Sequence, residues 1–367
     1  MPCNSPNKVF YNGINHETGK KRIVFTSRNT DFIYRYSPHD RWIMAQNSDS
    51  AIFRKRGYQV LSDSDLVPCG QCLGCRMDYA RQWAARLMCE KKKYPDDLCW
   101  FVTLTYDDDH LPERRYSSIP DADTGEYKLS DFRSVDKRTH QLFMKRLRKH
   151  FQPKSALPIR YFMSGEYGTI SARPHYHYII FGLKLDDLRL YKNNALGDAL
   201  YTSDELSRCW TDDKGIPIGF VTVGSVTTDS CGYVARYALK KQKMTTKETY
   251  EKLGIEPEFV CMSRRPGIGK DYFLENADYM FLTDELILPG RDRPIKMKPP
   301  KYFDTLLESM DPVKHEQIKD ARKKIASAHD EFISDYLPFL DKEEQFKVKE
   351  RKLYHNTLQL QRRNCDG

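Results

Sequence analysis

The sequence predicts an α+β fold, a sheet with helices packed on it. Three features carry that reading. Runs rich in aromatic and β-branched residues, such as LCWFVTLTYDD, IRYFMSGEYG and RPHYHYIIFG, read as strands. Two long stretches with apolar residues at helical spacing read as helices. Hairpins and longer loops join these elements, and no internal repeat is present.

Residues 1 to about 65 form an irregular, strand-rich leader, in which KRIVFTS (Lys21 to Ser27) and DFIYRYS (Asp31 to Ser37) alternate as strands do. A cysteine cluster follows at Pro68 to Cys75. A helix then covers roughly Arg76 to Lys93, with Tyr79, Trp83, Leu87 and Met88 on one side. Leu98 to Asp108 is a strand ending in acids. A loop rich in Ser, Asp and Gly runs to about Ser134. Asp136 can cap the next helix, Lys137 to Phe151, whose apolar stripe is Leu142, Phe143, Leu147 and Phe151. Ile159 to Gly168 is a strand entering a glycine turn, and RPHYHYIIFG pairs back on it as a hairpin. Thr202 to Trp210 is a short helix, Gly219 to Val226 a strand, and CGYVARYALKKQ a helix. After Asn276 the chain is basic and proline-bearing to about Tyr302, then charged and helical to its end.

A chain of 367 residues can bury a substantial core. The formal charge of +9 is modest but unevenly placed, and it favours a polyanionic partner. No apolar run reaches the length of a membrane span, and MPCNSPNKVFYNG has no hydrophobic signal core. The expectation is a soluble, intracellular protein without a membrane partner. The pattern G-x-x-x-x-G-K-[ST] is absent, so neither a nucleotide cofactor nor helicase activity is expected.

The stretch ARPHYHYIIFG puts His175 and His177 on alternate positions of a strand. Residues i and i+2 share a face, so the imidazoles stand side by side, with Tyr176 opposite. In the hairpin, Glu166 can meet the pair on that face. Two neutral imidazoles and a carboxylate suit a divalent cation, with positions left open for water or a phosphate oxygen. The plainer alternative is a half-buried histidine pair that satisfies hydrogen bonds.

Tyr233 and Tyr237 lie at i and i+4 of GYVARYALKK and share a helix face, which Lys241 continues and Lys240 and Arg236 flank. A phenol has a reference pKa near 10, so about one molecule in a thousand is phenolate at neutral pH, a penalty of roughly 4 kcal/mol. Nearby lysines or a proton acceptor reduce that penalty. A metal that polarises a phosphodiester lowers the barrier from the other side. The plainer alternative is a pair of aromatics packing a helix on a core.

Taken in order, FVTLTYDDDHLP, GEYG, RPHYHYIIFG and YVARYALKK resemble the HUH single-strand endonucleases. More narrowly, the chain resembles the replication initiators of small single-stranded DNA phages, the microvirus group and especially the gokushovirus type. PCGQCLGCRMDYARQWAARLMCE, HQLFMKRLRKHF and CMSRRPGIGKDYF are similar to segments of that family, and the resemblance runs from about Cys3 to Tyr302. It implies the HUH endonuclease fold, an antiparallel sheet flanked by helices. A cysteine-bearing N-terminal region precedes it and a helical C-terminal tail follows. The implied division is a leader with the cysteine cluster and a helix at 1–95, the endonuclease core at 96–275, and a basic linker with helices at 276–367. His175 and His177 would bind Mg²⁺ or Mn²⁺, with Glu166 as third ligand and Asp107 or Asp108 as competing choices. Tyr233 and Tyr237 would be nucleophiles used in turn, and Lys240 and Lys241 would neutralise the phosphate or assist proton transfer. The partners implied are single-stranded origin DNA and a host helicase and DNA polymerase, in the host bacterial cytoplasm.

Cys69, Cys72 and Cys75 place three thiols in one tight loop, and a structural zinc needs four ligands. Cys3 is the fourth candidate and Cys89 the runner-up; free buried thiols are the alternative. For DNA the candidates are Lys145, Arg146, Arg148 and Lys149 on the basic helix, Arg264 and Arg265 in SRRPGIGK, and Arg173 and Arg236 beside the motifs. The glycines of SRRPGIGK suit close backbone approach to phosphates. The activity that the resemblance implies is nicking of origin DNA by tyrosine attack, through a 5′-phosphotyrosyl intermediate, with strand rejoining in rolling-circle replication; two other functions compete with it. A single-stranded DNA-binding protein would bind without cleaving. A water-using metal nuclease would cleave without a covalent adduct.

Overall fold

The computed structural model describes residues 3, 5–19, 21–168, 171–194, 196–237, 247–336 and 342–362. The chain divides into two units, Met1–Asp78 with Leu337–Gln359, and Tyr79–Tyr336 with Leu360–Gly367.

The first unit opens with β1 (Asn7–Ile14), β2 (Lys21–Thr26), β3 (Phe32–Arg35) and β4 (Ile43–Ala45). Helix α1 (Ser50–Lys55), β5 (Gln59–Leu61) and β6 (Ser64–Val67) complete the run. They make two three-stranded antiparallel sheets, ordered β2-β1-β6 and β4-β3-β5. Phe32, Tyr34, Phe53 and Tyr58 pack ring against ring between the second sheet and α1. Helix α2 (Leu73–Lys91) begins inside the cysteine loop.

The second unit is built on an antiparallel seven-stranded sheet. Its members in chain order are β7 (Cys99–Thr105), β10 (Arg160–Tyr167), β11 (Pro174–Phe181), β12 (Arg189–Asn193), β13 (Ala199–Thr202), β14 (Val221–Ser225) and β15 (Phe259–Met262). The spatial order is β12-β13-β14-β7-β11-β10-β15, which puts the histidine strand β11 between β7 and β10. The expected hairpin is present, and Gly168 N donates to the Arg173 carbonyl at its turn.

Alternation divides the sheet's side chains between two cores. Tyr176, Tyr178 and Ile180 point to one, where α3 (Lys137–Phe151) packs Phe143, Met144, Leu147 and Phe151. Asp136 caps α3 by accepting from Thr139 N. Ile179 and Phe181 point to the other core, under α2, α5 (Thr228–Tyr237) and α7 (Lys270–Thr283). Fully burying a large apolar side chain contributes about 1.5–3 kcal/mol, and both faces are filled with them. Within α2, Trp83, Leu87 and Met88 are buried as the stripe requires, but Tyr79 is half-exposed.

Smaller elements complete the unit. The Ser/Asp/Gly-rich stretch expected as loop carries a two-stranded hairpin, β8 (Arg114–Tyr116) and β9 (Leu129–Arg133). The expected Thr202-to-Trp210 helix is the short α4 (Asp204–Ser207), capped by Ser203. Helix α6 (Lys247–Leu253) precedes β15. Beyond α7 come β16 (Leu286–Leu288), β17 (Ile295–Met297), α8 (Lys301–Met310) and α9 (Pro312–Tyr336). The last helix is α10 (Lys342–Arg362), and most of it belongs to the first unit. Among the described residues no helix is long and apolar enough to cross a membrane.

Candidate active site

The antiparallel register sets Glu166 opposite His175, and His177 between Thr103 of β7 and Ser164 of β10. The side chains of all five project to the face shared with α2, α5 and α7. His175 Nε2 lies 2.8 Å from Glu166 Oε1, and His177 Nε2 lies 2.9 Å from the same oxygen. The Glu166 side chain is 1 % exposed and that of His177 6 %, whereas that of His175 is 17 % exposed, so solvent reaches the cluster past His175.

The hydrogen bonds behind the rings fix which nitrogens face the carboxylate. His175 Nδ1 lies 3.0 Å from the Arg173 carbonyl, which can only accept, so Nδ1 carries a proton. In the neutral ring Nε2 is then a lone pair aimed at a carboxylate oxygen, an arrangement that calls for a cation or a proton between them. His177 Nδ1 lies 2.9 Å from Thr103 Oγ1, the same kind of orienting contact. Burial pushes the Glu166 carboxyl up, but the hydrogen bonds and charges of His175 and His177 outweigh it and hold it below the usual glutamate range. Glu166, His175 and His177 bring their donor atoms within 4.8 Å of one another, and the donor set fits a hard or borderline divalent ion.

Helix α5 brings Tyr233 to this cluster. Its ring stands edge-to-face against His177 at 5.1 Å and against Phe101 at 6.0 Å, while Phe101 stacks on His177 at 5.7 Å. Tyr237 is the last residue of α5, one turn further on; its side chain, with Lys240 and Lys241, lies outside the described residues. The competing ligands go elsewhere. Asp107 bonds to His110 Nδ1 at 2.7 Å, and Asp108 pairs with Arg173.

A profile of the family described as "Replication-associated protein ORF2/G2P" matches residues 99–242, the stretch from β7 through α5. The chain is 37 % identical over 286 residues to "Replication-associated protein ORF2" of Spiroplasma virus 4, covering 76 % of this chain and 79 % of that one. The chain belongs to the replication-associated protein family. Another family member, "Replication-associated protein VP4" of Bdellovibrio phage phiMH2K, is 31 % identical over 265 residues, 72 % of this chain and 74 % of its own. "Replication-associated protein ORF4" of Chlamydia phage 1 is 26 % identical over 319 residues, 86 % of this chain and 67 % of its own. The resemblance to phage replication initiators is met in these comparisons. No solved structure matches the chain.

The cationic candidates of this family member are spread over different surfaces. Lys145, Arg148 and Lys149 are exposed on α3, on the opposite face of the sheet from the histidines. Arg146 is bound to the Thr211 and Asp212 carbonyls at 2.8 and 2.9 Å. Arg173 bridges Asp108 and the Tyr106 carbonyl, and Arg236 is half-buried on α5. Arg264 and Arg265 are exposed on the turn before α7. The glycines of that turn face inward: Gly269 N donates to Glu90 at 2.7 Å, and a Cβ on Gly267 would meet the Tyr302 hydroxyl at 2.2 Å.

Sequence reading missed Thr103 and Phe101, which hold His177 from β7. The signal was there in FVTLT, where threonines alternate with apolar residues and mark a polar face.

Proposed function

We propose that the chain is a replication initiator that nicks single-stranded origin DNA by tyrosine attack and rejoins it during rolling-circle replication of a small single-stranded DNA phage. The observation that carries this reading is the convergence of His175 Nε2, His177 Nε2 and Glu166 Oε1 next to the Tyr233 ring. Membership of the replication-associated family supports the setting. Mg²⁺ or Mn²⁺ bound by those three residues would polarise the scissile phosphodiester and stabilise its developing charge.

The chain's own residues supply the rest. Arg173 and Thr103 orient the two rings so that both Nε2 atoms serve as ligands. Phe101 and His177 hold the Tyr233 ring from two sides. The phenol oxygen bonds to phosphorus, the bond to the 3′ oxygen breaks, and the phenol proton ends on that 3′ oxygen. The tyrosine keeps the 5′-phosphate and the free 3′-OH primes synthesis by a host polymerase. One phosphodiester replaces another, so rejoining needs no nucleotide. Tyr233 and Tyr237, four residues apart in the sequence, act in turn, and the second makes its cut while the first is occupied. The released 3′-OH then attacks the first adduct and closes the circle. Lys240 and Lys241 offset the phosphate charge.

The test incubates the full chain with labelled origin DNA, with Mn²⁺ or with EDTA, and runs a denaturing protein gel. A labelled, metal-dependent band that survives boiling in SDS is expected, and it disappears in the Tyr233→Phe/Tyr237→Phe double variant. Cleaved DNA without such a band would instead mean a water-using nuclease. Bound but intact DNA would mean a binding protein.

A further inference from the structure

We infer that Cys3, Cys69, Cys72 and Cys75 form a tetrathiolate site for one structural zinc ion, which clips the N-terminal segment to the turn between β6 and α2. This rests on the first unit alone and is independent of the nicking reaction.

The four sulfurs lie within 4.8 Å of one another. Cys3 Sγ is 3.7 Å from Cys69 Sγ and 3.7 Å from Cys72 Sγ. Zinc bonded to thiolates at about 2.3 Å in a tetrahedron has sulfur–sulfur edges of about 3.8 Å. A disulfide would bring two of the sulfurs to about 2.0 Å. Two of the edges match those of ligands sharing one ion, and the others lie within 4.8 Å.

Backbone topology builds the site. Asn7 pairs with Val67 in the antiparallel β1–β6 ladder, so the residues before β1 run beside the residues after β6. That selects Cys3 as the fourth ligand. The runner-up, Cys89, is buried in the apolar core of the second unit. Peptide N–H groups then point at the sulfurs: Cys69 N to Cys3 Sγ at 3.3 Å, Cys72 N to Cys69 Sγ at 3.2 Å, Gln71 N to Cys69 Sγ at 3.4 Å and Cys75 N to Cys72 Sγ at 3.5 Å. Such donors stabilise thiolates, not thiols.

The first unit also has reason to need a clip. Among its described residues the fully buried apolar side chains are few, chiefly Val9, Phe10, Phe32 and Ile33, while Ile23, Phe25, Ile43 and Met44 are exposed. A core that thin rarely holds a small fold unaided.

The test uses the full chain, expressed with zinc and purified reduced, without chelator. Native mass spectrometry is expected to show one zinc equivalent that depends on the cysteines. It is lost in Cys69→Ser/Cys72→Ser, and kept in His175→Ala/His177→Ala and in Cys261→Ser. Cys3→Ser is expected to weaken zinc retention by more than the roughly 10- to 100-fold typical of losing an outer-shell partner. Because a cysteine variant can fail to fold, the wild-type chain is also exchanged with Co²⁺. Intense visible bands with a sulfur-to-cobalt charge-transfer band are expected, with Cys69 and Cys72 protected from alkylation only when metal is present. Absence of metal, an iron–sulfur chromophore, a disulfide within the set, weak octahedral cobalt bands, or zinc that leaves with the histidines alone would each overturn the inference.

Discussion

At the scale of single residues, the candidate site depends on side chains that orient the ligands. With a cation held at Nε2 of His177, Nδ1 would carry the proton and donate it to Thr103 Oγ1, 2.9 Å away. Thr103→Val keeps the shape of the strand and removes the acceptor. It is expected to weaken Mn²⁺ binding by about 10- to 100-fold, the usual cost of losing an outer-shell partner. Titration calorimetry on the purified chain measures this, and Thr103→Ser should restore most of the affinity. If Thr103→Val binds Mn²⁺ like the wild type, Thr103 has no orienting part. The histidines and Glu166 were legible in sequence because strand period and hairpin pairing are local rules. Thr103 was not, because its contact requires knowing that β7 lies beside β11, more than seventy residues away.

Among elements, the arginine turn before α7 is held by a buried ion pair. Glu90 of α2 meets Arg160 Nε of β10 at 2.5 Å, with side chains 3 % and 8 % exposed. Glu90 also accepts from Gly269 N, and Arg160 donates to the Pro266 carbonyl at 2.7 Å. Arg86 donates to the Ile268 carbonyl and lies between the Trp83 and Tyr302 rings. Glu90→Gln leaves the Arg160 charge buried without its counterion, and should cost about 3–5 kcal/mol in urea unfolding. The double replacement Glu90→Met/Arg160→Met should recover most of that loss. A single variant as stable as wild type would show that the pair holds nothing. The same region shows where sequence reading stopped. In α7 the buried Phe273, Ala277, Met280 and Phe281 are interleaved with Tyr279 and Leu282, which are largely exposed, so no clean apolar stripe marks the helix. Strand β12, RLYKN, is exposed along its whole length and carries no alternation to read. Helix α3 was read to its ends because Asp136 and the stripe agree.

Across the whole sheet of the second unit, the two faces treat histidine in opposite ways. One face gathers His175 and His177 around a carboxylate. The other buries His140 of α3 against the hydroxyl of Tyr178, 2.9 Å from Nδ1, and that of Tyr161, 3.5 Å from Nε2. Among the described residues no carboxylate bonds to His140, and Arg148 is the charge that acts on it. Burial first, and then Arg148, pushes its pKa down from 6.5 to about 4. The folded state therefore keeps this ring neutral, while the unfolded chain protonates it near pH 6.5. The stability it contributes is complete above pH 6.5, falls as the pH drops, and is lost once the pH is below about 4. At pH 5 the loss should be about 2 kcal/mol relative to pH 7. His140→Phe, which cannot titrate, should flatten that part of the profile of urea midpoint against pH, whatever its effect at pH 7. If the variant and the wild type lose stability in parallel between pH 7 and pH 5, the acid sensitivity belongs to other groups, and the buried face of the sheet is not its source.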